Sequence, residues 1–342
     1  MQVPQNLIGV DMAADSFTFT SYDSISKTYQ KHQTLANTPD GLVELQTYLD
    51  DHSMTPGNTI FCVEATGVYT EVLAYFLVSK GYRLAIEAPH KAKRAFYPLG
   101  AKSDPLDSRQ LAEYAYRFFD QLPFWQPSTI IVEQLRVLLS TREQLTRQST
   151  ASKNALLAIQ CKVVRTPPAE LAFESIIDHL KNQIKQIDQE IKKRSSGDPT
   201  FGPITVLIMT VPGVGILLAA HLLILSEGFT KPLEPRSIAS HLGICPLPYQ
   251  SGTSVHRRSK SRGGGHSILR KLLYLAAMSL RTHDQSFKHY FLRKVEEGKS
   301  KSLVLNNIEN RLLKVLCAII RTKTPFIANY KSVNPMLLQK VA

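Results

Sequence analysis

Leu7-Ile8-Gly9-Val10-Asp11-Met12-Ala13-Ala14-Asp15-Ser16-Phe17-Thr18-Phe19-Thr20 reads as a strand, a short turn and a second strand. The first run is almost wholly apolar and ends on a carboxylate. The second alternates Phe17 and Phe19 with threonine, the period-two pattern of a strand with one buried face. Working outward, residues 39–50 predict a helix with Leu42, Leu45 and Leu49 on one face. Thr59-Ile60-Phe61-Cys62-Val63 predicts a buried strand and is followed by Glu64-Ala65-Thr66-Gly67. A helix over 69–79, ending near Gly81, a strand over Arg83–Glu87 and a helix over 105–118 complete the pattern. Strands alternating with helices predict an α/β domain on a mixed sheet, spanning 1–125.

Beyond it the pattern becomes helical. Residues 131–160 carry leucines at 135, 138, 145 and 156, and Thr166-Pro167-Pro168 breaks the helix. Phe173, Ile177, Leu180, Ile184, Ile187 and Ile191 then repeat at spacings of four and three, a heptad seam with polar residues between. The seam suits packing on the preceding helix as a hairpin, or on a second subunit, so 126–198 is expected to be a coiled-coil arm that dimerises. Ser195-Ser196-Gly197-Asp198-Pro199 reads as a linker. The third region, 199–330, is expected to be mainly helical, with loops between Gly243 and Gly265, and 331–342 an irregular tail.

The 342 residues are 43% hydrophobic, which suits two or three folded domains and excludes wholesale disorder. Cys62, Cys161, Cys245 and Cys317 lie far apart, without a paired C-x-x-C, so neither a disulfide framework nor a zinc module is expected. No secretory signal is legible at the N-terminus. Ile204–Leu225 lacks charge, but Pro212-Gly213-Val214-Gly215 divides it, which predicts two short buried helices rather than a membrane span. The net charge of +13 is unevenly placed. Residues 1–150 hold 13 Lys and Arg against 16 Asp and Glu, and residues 151–342 hold 28 against 12. A basic half of that strength points to a polyanion, with nucleic acid first and an ordinary solvated surface as the plainer reading.

Four acids stand out by context. Asp11 and Glu64 each end an apolar strand, and Asp104 and Asp107 open a helix three residues apart, on one face. Taken singly, each reads better as a structural turn or cap residue than as a catalytic one: Asp104 before Pro105 suits an N-cap, and Asp107 a first-turn acid favoured by the helix dipole. Together, strand-end carboxylates and a helical D-x-x-D converge at one sheet edge. They repel there unless cations neutralise them, and two Mg²⁺ or Mn²⁺ ions on oxygen ligands answer that need and serve phosphodiester chemistry.

Gly9-Val10-Asp11, Val63-Glu64-Ala65-Thr66-Gly67 and Lys102-x-Asp104-x-x-Asp107-x-x-x-Leu111-Ala112-Glu113 resemble the RuvC-type domain of DEDD transposases of the insertion-sequence 110 family, Piv-like site-specific invertases among them. The resemblance implies an RNase H-like fold and makes Asp11, Glu64, Asp104 and Asp107 the metal-binding acids.

In the third region, Tyr249-Gln250-Ser251-Gly252-Thr253-Ser254-Val255 leads into a dense basic run: His256, Arg257, Arg258, Lys260, Arg262, then Gly263-Gly264-Gly265-His266, Arg270 and Lys271. From chemistry alone the favoured reading is a polar loop before a basic surface, since serine-glycine loops are common; a serine beside such charge is the second reading, placed to attack phosphorus. Gly243–Tyr274 resembles the C-terminal transposase domain of the same family, with Ser251 aligned to its nucleophilic serine. Lys102, Arg257, Arg258, Lys260, Arg262, His266, Arg270 and Lys271 are the nucleic-acid-binding candidates. Thr210-Val211-Pro212-Gly213-Val214-Gly215 reads either as a helix-hairpin-helix element offering N–H groups to a phosphate or as a plain turn. The resemblance implies DNA recombination by a serine nucleophile beside a Mg²⁺ site, a structured guide RNA, dimers assembling into tetramers, and a cytoplasmic, nucleoid-associated protein without a membrane. A water-using RuvC-like nuclease and a non-enzymatic nucleic-acid-binding protein are the rival readings.

Overall fold

The computed structural model describes residues 3–65, 67–89, 91, 95, 103–231, 233–251, 255–261 and 265–328, and of 247–251 and 255–261 the backbone alone. The expected tail, Lys102 and Arg262 lie outside the described residues. The chain divides into two compact units, Met1–Pro127 and Ser128–Ala342.

The first unit is built on a six-stranded mixed sheet. Strand β1 (Asn6–Met12) pairs antiparallel with β2 (Ser16–Asp23) and parallel with β5 (Thr59–Glu64), which pairs parallel with β6 (Arg83–Glu87). Two short strands, β3 (Thr28–Tyr29) and β4 (Gln33–Ala36), extend the antiparallel edge beyond β2. One face carries Ile8, Val10, Phe17, Phe19, Phe61 and Val63 and is covered by α1 (Pro39–Asp51) and α2 (Glu71–Ser79). The other carries Leu7, Ile60, Cys62 and Ala85 and is covered by Leu111, Ala112 and Ala115 of α3 (Asp104–Arg117). Burial on both faces explains why β1 and β5 read as continuous apolar runs and not as alternations.

The seat of α3 depends on one missing side chain. A Cβ at Gly9 would lie 2.0 Å from the Ser108 carbonyl oxygen and 2.2 Å from the Ala112 nitrogen. Only glycine in β1 lets the helix backbone come down onto the strand. A buried hydrogen bond of 2.8 Å between the Thr20 and Ser108 hydroxyls fixes the position along the strand. The helix begins at Asp104 with Ser103 at the N-cap, one residue earlier than expected. Ser103 is extended (φ −158°, ψ 149°) and makes no side-chain cap, so the Asp104 carboxylate is not consumed in capping.

The second unit is mostly helical. Helices α4 (Ile130–Gln160) and α5 (Pro167–Gly197) form a long antiparallel hairpin within the chain, the first of the two expected arrangements. Ile177, Leu180 and Ile191 of the seam are buried, and Arg142 and Arg194 reach across to Asp188 and Gln134. The linker expected at 195–199 is instead the end of α5. Ser195 is fully buried, and Asp198 accepts from the N–H groups of Thr200 and Phe201, tying the chain directly into α6 (Gly202–Met209). Helices α6 and α7 (Ile216–Leu225), with α8 (Pro235–His241), α9 (Ser267–His283), α10 (Gln285–Glu296) and α11 (Lys301–Thr322), enclose the remaining cores. No helix among the described residues is long and apolar enough to cross a membrane. The loops expected between Gly243 and Gly265 contain an antiparallel ribbon, β7 (Pro246–Ser251) paired with β8 (Val255–Ser261). Its strands are too polar to show an apolar alternation.

Replacing Gly9 by alanine sets a methyl group against rigid backbone and should destabilise the first unit by about 2–3 kcal/mol. Urea unfolding followed by Trp125, the chain's one tryptophan, measures this. An unchanged midpoint would show that α3 is not seated through Gly9.

Candidate active site

Asp11 is the penultimate residue of β1, and Glu64 closes the parallel neighbour β5. Val10 lies opposite Val63 in the register, so the next step along both strands brings Asp11 and Glu64 to the same level of the sheet edge. Helix α3 crosses β1 at Gly9. One turn back from Ser108 lie Asp104 and Asp107, while two residues beyond Gly9 lies Asp11. The same close approach that seats the helix therefore carries its first-turn acids to the carboxyl end of the strand.

The electrostatics register this gathering. Burial, then the charges of Asp104, Asp107 and Glu64 in that order, push the Asp11 carboxyl up from 3.8 to about 6, against the Met12 N–H, which lowers it. Among the described residues, no three acid, histidine or cysteine side chains form a ready-made cation cage. The four carboxylates share a field without yet closing on a common point.

A fifth acid was not singled out by the sequence. Glu87 ends β6 directly opposite Glu64 in the register, is 3% exposed, and pairs with Lys91 at 3.0 Å. Its strand, Arg83-Leu84-Ala85-Ile86-Glu87, closes on an acid just as β1 and β5 do; that shared ending was the available signal. Its charge, after the larger effect of burial, helps to push the Cys62 thiol up to about 12, so Cys62 stays a neutral thiol in the core.

In the second unit, Ser251 ends β7 and pairs with Val255, which begins β8. The three residues joining them lie outside the described set. Arg257, Arg258 and Lys260 belong to β8, with Arg257 opposite Tyr249 and Lys260 opposite Leu247. His266 is the N-cap of α9, its Nδ1 accepting from the Leu269 N–H at 3.2 Å. Arg270 donates to the Leu242 carbonyl at 3.4 Å, and its charge opposes the burial that pushes Glu309 up to about 7. Lys271 is exposed and lines a groove of about 880 Å³ with Arg142, Arg147 and His221. His221 is held down to about 4 by burial, then by His266 and Arg142, so it is neutral at ordinary pH. In the turn between α6 and α7, Gly213 packs tightly: a Cβ there would lie 2.4 Å from that of Ser279. Gly215 meets open space at the start of α7. One glycine of the turn thus serves packing and the other leaves a helix N-terminus accessible.

The comparisons with known proteins agree with this layout. Residues 8–160 match a family model for a transposase, the DEDD domain of the IS110 type. Residues 206–292 match the model described as Transposase IS116/IS110/IS902 family. A pilin gene-inverting protein of Moraxella lacunata is 28% identical over 324 residues, covering 93% of this chain and 97% of that one. Its counterpart in Moraxella bovis is 28% identical over 322 residues with the same coverage. The insertion element IS110 43.6 kDa protein of Streptomyces coelicolor is 30% identical over 123 residues, 36% of this chain and 30% of that one. An α/β unit edged with carboxylates, followed by a helical transposase unit, is the layout of a DNA recombinase or transposase, and this chain is such an enzyme. Both matching models are of IS110-type insertion-sequence transposases, the first over residues 8–160 and the second over 206–292.

Because the Asp11 carboxyl is raised, its ionised form costs the folded state stability. That cost is present above about pH 6 and absent below 3.8. In EDTA at pH 7.5, Asp11→Asn should therefore stabilise the first unit by about 1 kcal/mol, once solvent screening of this half-buried group is allowed for. The gain should shrink toward pH 4. Thermal melts of both proteins at the two pH values measure it, and a gain independent of pH would show that the other three acids do not act on Asp11.

Proposed function

We propose that this protein cuts and rejoins DNA as a site-specific recombinase of a mobile element, with Ser251 as the nucleophile and Asp11, Glu64, Asp104 and Asp107 holding two Mg²⁺ or Mn²⁺ ions. The observation that carries the reading is the gathering of these four acids at one edge of a mixed sheet, at the carboxyl ends of β1 and β5 and under the first turn of α3. The sheet order, with three antiparallel strands followed by two parallel ones, supports the RNase H-like assignment implied by the DEDD resemblance.

The donor set fits the metal. All the candidate ligands are carboxylate oxygens, which suits hard divalent cations, and their mutual repulsion at Asp11 is relieved by positive charge. Bound there, such ions would polarise a phosphodiester and stabilise the oxygen that leaves it. The protein's own residues do the rest. The serine oxygen of Ser251 bonds to phosphorus as the bond from phosphorus to the 3′-oxygen breaks, and the serine proton is given up as the 3′-hydroxyl gains one. The 3′-hydroxyl of the exchange partner then attacks the phosphoserine link, restoring the serine and joining the strands. The reading requires that the assembled complex bring a serine and a carboxylate cluster, of one chain or of two copies, to one phosphodiester.

The pilin gene-inverting relatives are named for an inversion, and the IS110 relative for an insertion element. Either reaction needs two DNA duplexes, hence dimers assembling into tetramers. Exposed Leu157, Val163, Val164 and Leu171 near the connection between α4 and α5 support contact between copies through the arm. The basic strand β8, with His266, Arg270, Lys271 and the candidates Lys102 and Arg262, suits DNA and also a structured guide RNA.

The test is a covalent-adduct trap. The full chain is expressed with its native flanking DNA and lysed under denaturing conditions, and DNA joined to protein is sought. Wild type should yield an adduct that Ser251→Ala abolishes and that falls at least a hundredfold in Asp11→Asn or in EDTA. Metal-dependent cutting that survives in Ser251→Ala would replace this reading with the water-using nuclease.

A further inference from the structure

Beside the carboxylate edge the first unit holds a second concave feature that the reaction as written does not use. It is a pocket of about 410 Å³ between the start of α3 and the strands β2 and β3. Lys31, His32 and Arg109 line it, with the Ser103 and Thr20 hydroxyls and the ring of Tyr29. Among the described residues its lining contains no carboxylate. Arg109 is held in place. The Arg109 guanidinium stacks on the Tyr29 ring, 4.1 Å from its centroid. Tyr29 donates its hydroxyl to Glu113 at 3.3 Å, and Glu113 is neutralised by Arg117. Lys31 is exposed and pairs with no acid among the described residues. Ser103, the N-cap of α3, makes no side-chain cap.

A cationic pocket in a half of the chain that carries more acids than bases, opening beside an acidic edge, is the reverse of what folding alone would place there. It is what a strand of nucleic acid requires. The carboxylates repel a phosphate until cations intervene, so a strand crossing them needs an attractive contact on its own backbone nearby. The two features lie on the flanks of one helical turn, with Asp104 and Asp107 on one side and Pro105 and Arg109 toward the pocket.

We propose that the pocket formed by Lys31, His32, Arg109 and Ser103 is a backbone-phosphate subsite, which takes a phosphodiester of the strand that crosses the carboxylate edge and so fixes that strand's direction and register. The proposal deepens the recombinase reading and rests on it for the identity of the strand. The pocket's affinity for a nucleic-acid phosphate does not depend on Ser251.

The test is the salt dependence of binding. The full chain, carrying Ser251→Ala so that no adduct forms, is titrated at a fixed Mg²⁺ concentration with a fluorescently labelled DNA duplex and, separately, with an RNA duplex of the same sequence, over about 50–200 mM monovalent salt. Lys31→Gln should weaken binding several-fold and lower the slope of log affinity against log salt by about one unit, the signature of one lost phosphate contact. Lys31→Arg should restore both. Lys27→Gln, an exposed lysine outside the pocket, should leave the slope unchanged. A loss on DNA assigns the subsite to the DNA strand, a loss on RNA alone assigns it to an RNA, and a loss on both shows recognition of the backbone without regard to sugar. An unchanged slope on both duplexes overturns the proposal, as does a loss that Lys31→Arg fails to restore. Because Lys31 is exposed and unpaired, its replacement leaves the fold intact. Asp11→Asn separates the two readings. If that variant still cuts DNA while Lys31→Gln loses its phosphate contact, the carboxylate reading fails and the subsite stands.

Discussion

The contact of α3 with Gly9 is the constraint on which the first unit depends. A helix normally rides on a sheet at a distance set by side chains, about 10 Å between layers in the sheet-on-sheet case. Here the Ser108 carbonyl and the Ala112 nitrogen come within 2.2 Å of where a Cβ would stand, so the helix rests on bare strand backbone. The Thr20–Ser108 hydrogen bond, buried, opposes sliding, because a slipped register would cost the Thr20 hydroxyl its partner while Ser108 keeps only its intrahelical bond to the Pro105 carbonyl. The helix's first turn is thereby fixed relative to the ends of β1 and β5, and with it every acid of the edge and one wall of the cationic pocket. The motif of glycine two residues before aspartate in β1 thus combines a steric requirement with a chemical one.

The edge is built against stability. Burial first, and then the charges of Asp104, Asp107 and Glu64, bear on Asp11, whose ionisation is pushed up to about 6. Nothing in packing requires this: the hydrophobic layers on both faces are complete without it. Glu87 makes the contrast. It is the most buried acid of that edge, and Lys91 neutralises it. Glu87 has a cation beside it, whereas Asp104 and Asp107 add their charge to the environment of Asp11. Repulsion retained at one edge of an otherwise well-packed unit is what the proposed ligand role of these acids accounts for.

Much of this was legible in the sequence. Strands β1, β2, β5 and β6 declare themselves because each buries an apolar run between turn residues, and the acids at their ends follow directly. The helical hairpin was legible from the 4-3 spacing of Phe173 to Ile191, which needs a partner along its whole length. The structure supplies that partner from α4 of the same chain. Other features escaped for physical reasons. β3 has two residues and β4 four, too short to show a period. Ser195-Ser196-Gly197 looks like a linker by composition, yet small side chains are also what a helix end needs when the next helix packs directly against it: a Cβ at Gly202 would lie 2.4 Å from the Ser196 carbonyl oxygen. β8 is written mainly in serine, arginine and lysine, and β7 carries prolines at 246 and 248, so the pairing of the ribbon is not announced by hydrophobicity. Lys31 and His32 carry no motif and gain meaning only when β3 places them beside Arg109.

The two units also divide the chemistry by charge. The acid-rich half holds the candidate metal ligands and the base-rich half the candidate nucleophile, and neither composition suits the other's task. A polyanionic backbone drawn to a surface as basic as the second half is held without help. At the acidic edge it is repelled until cations and the Lys31 pocket offset the carboxylates. Such an arrangement makes capture of nucleic acid and assembly of the reactive site separate events. On the proposed reading, the basic surface would bind first and in a salt-dependent way, and the acidic edge would become favourable only when metal and a correctly registered strand arrive together. For an enzyme that must not break DNA wherever it binds, that separation would be a safeguard built from the distribution of charge along the chain.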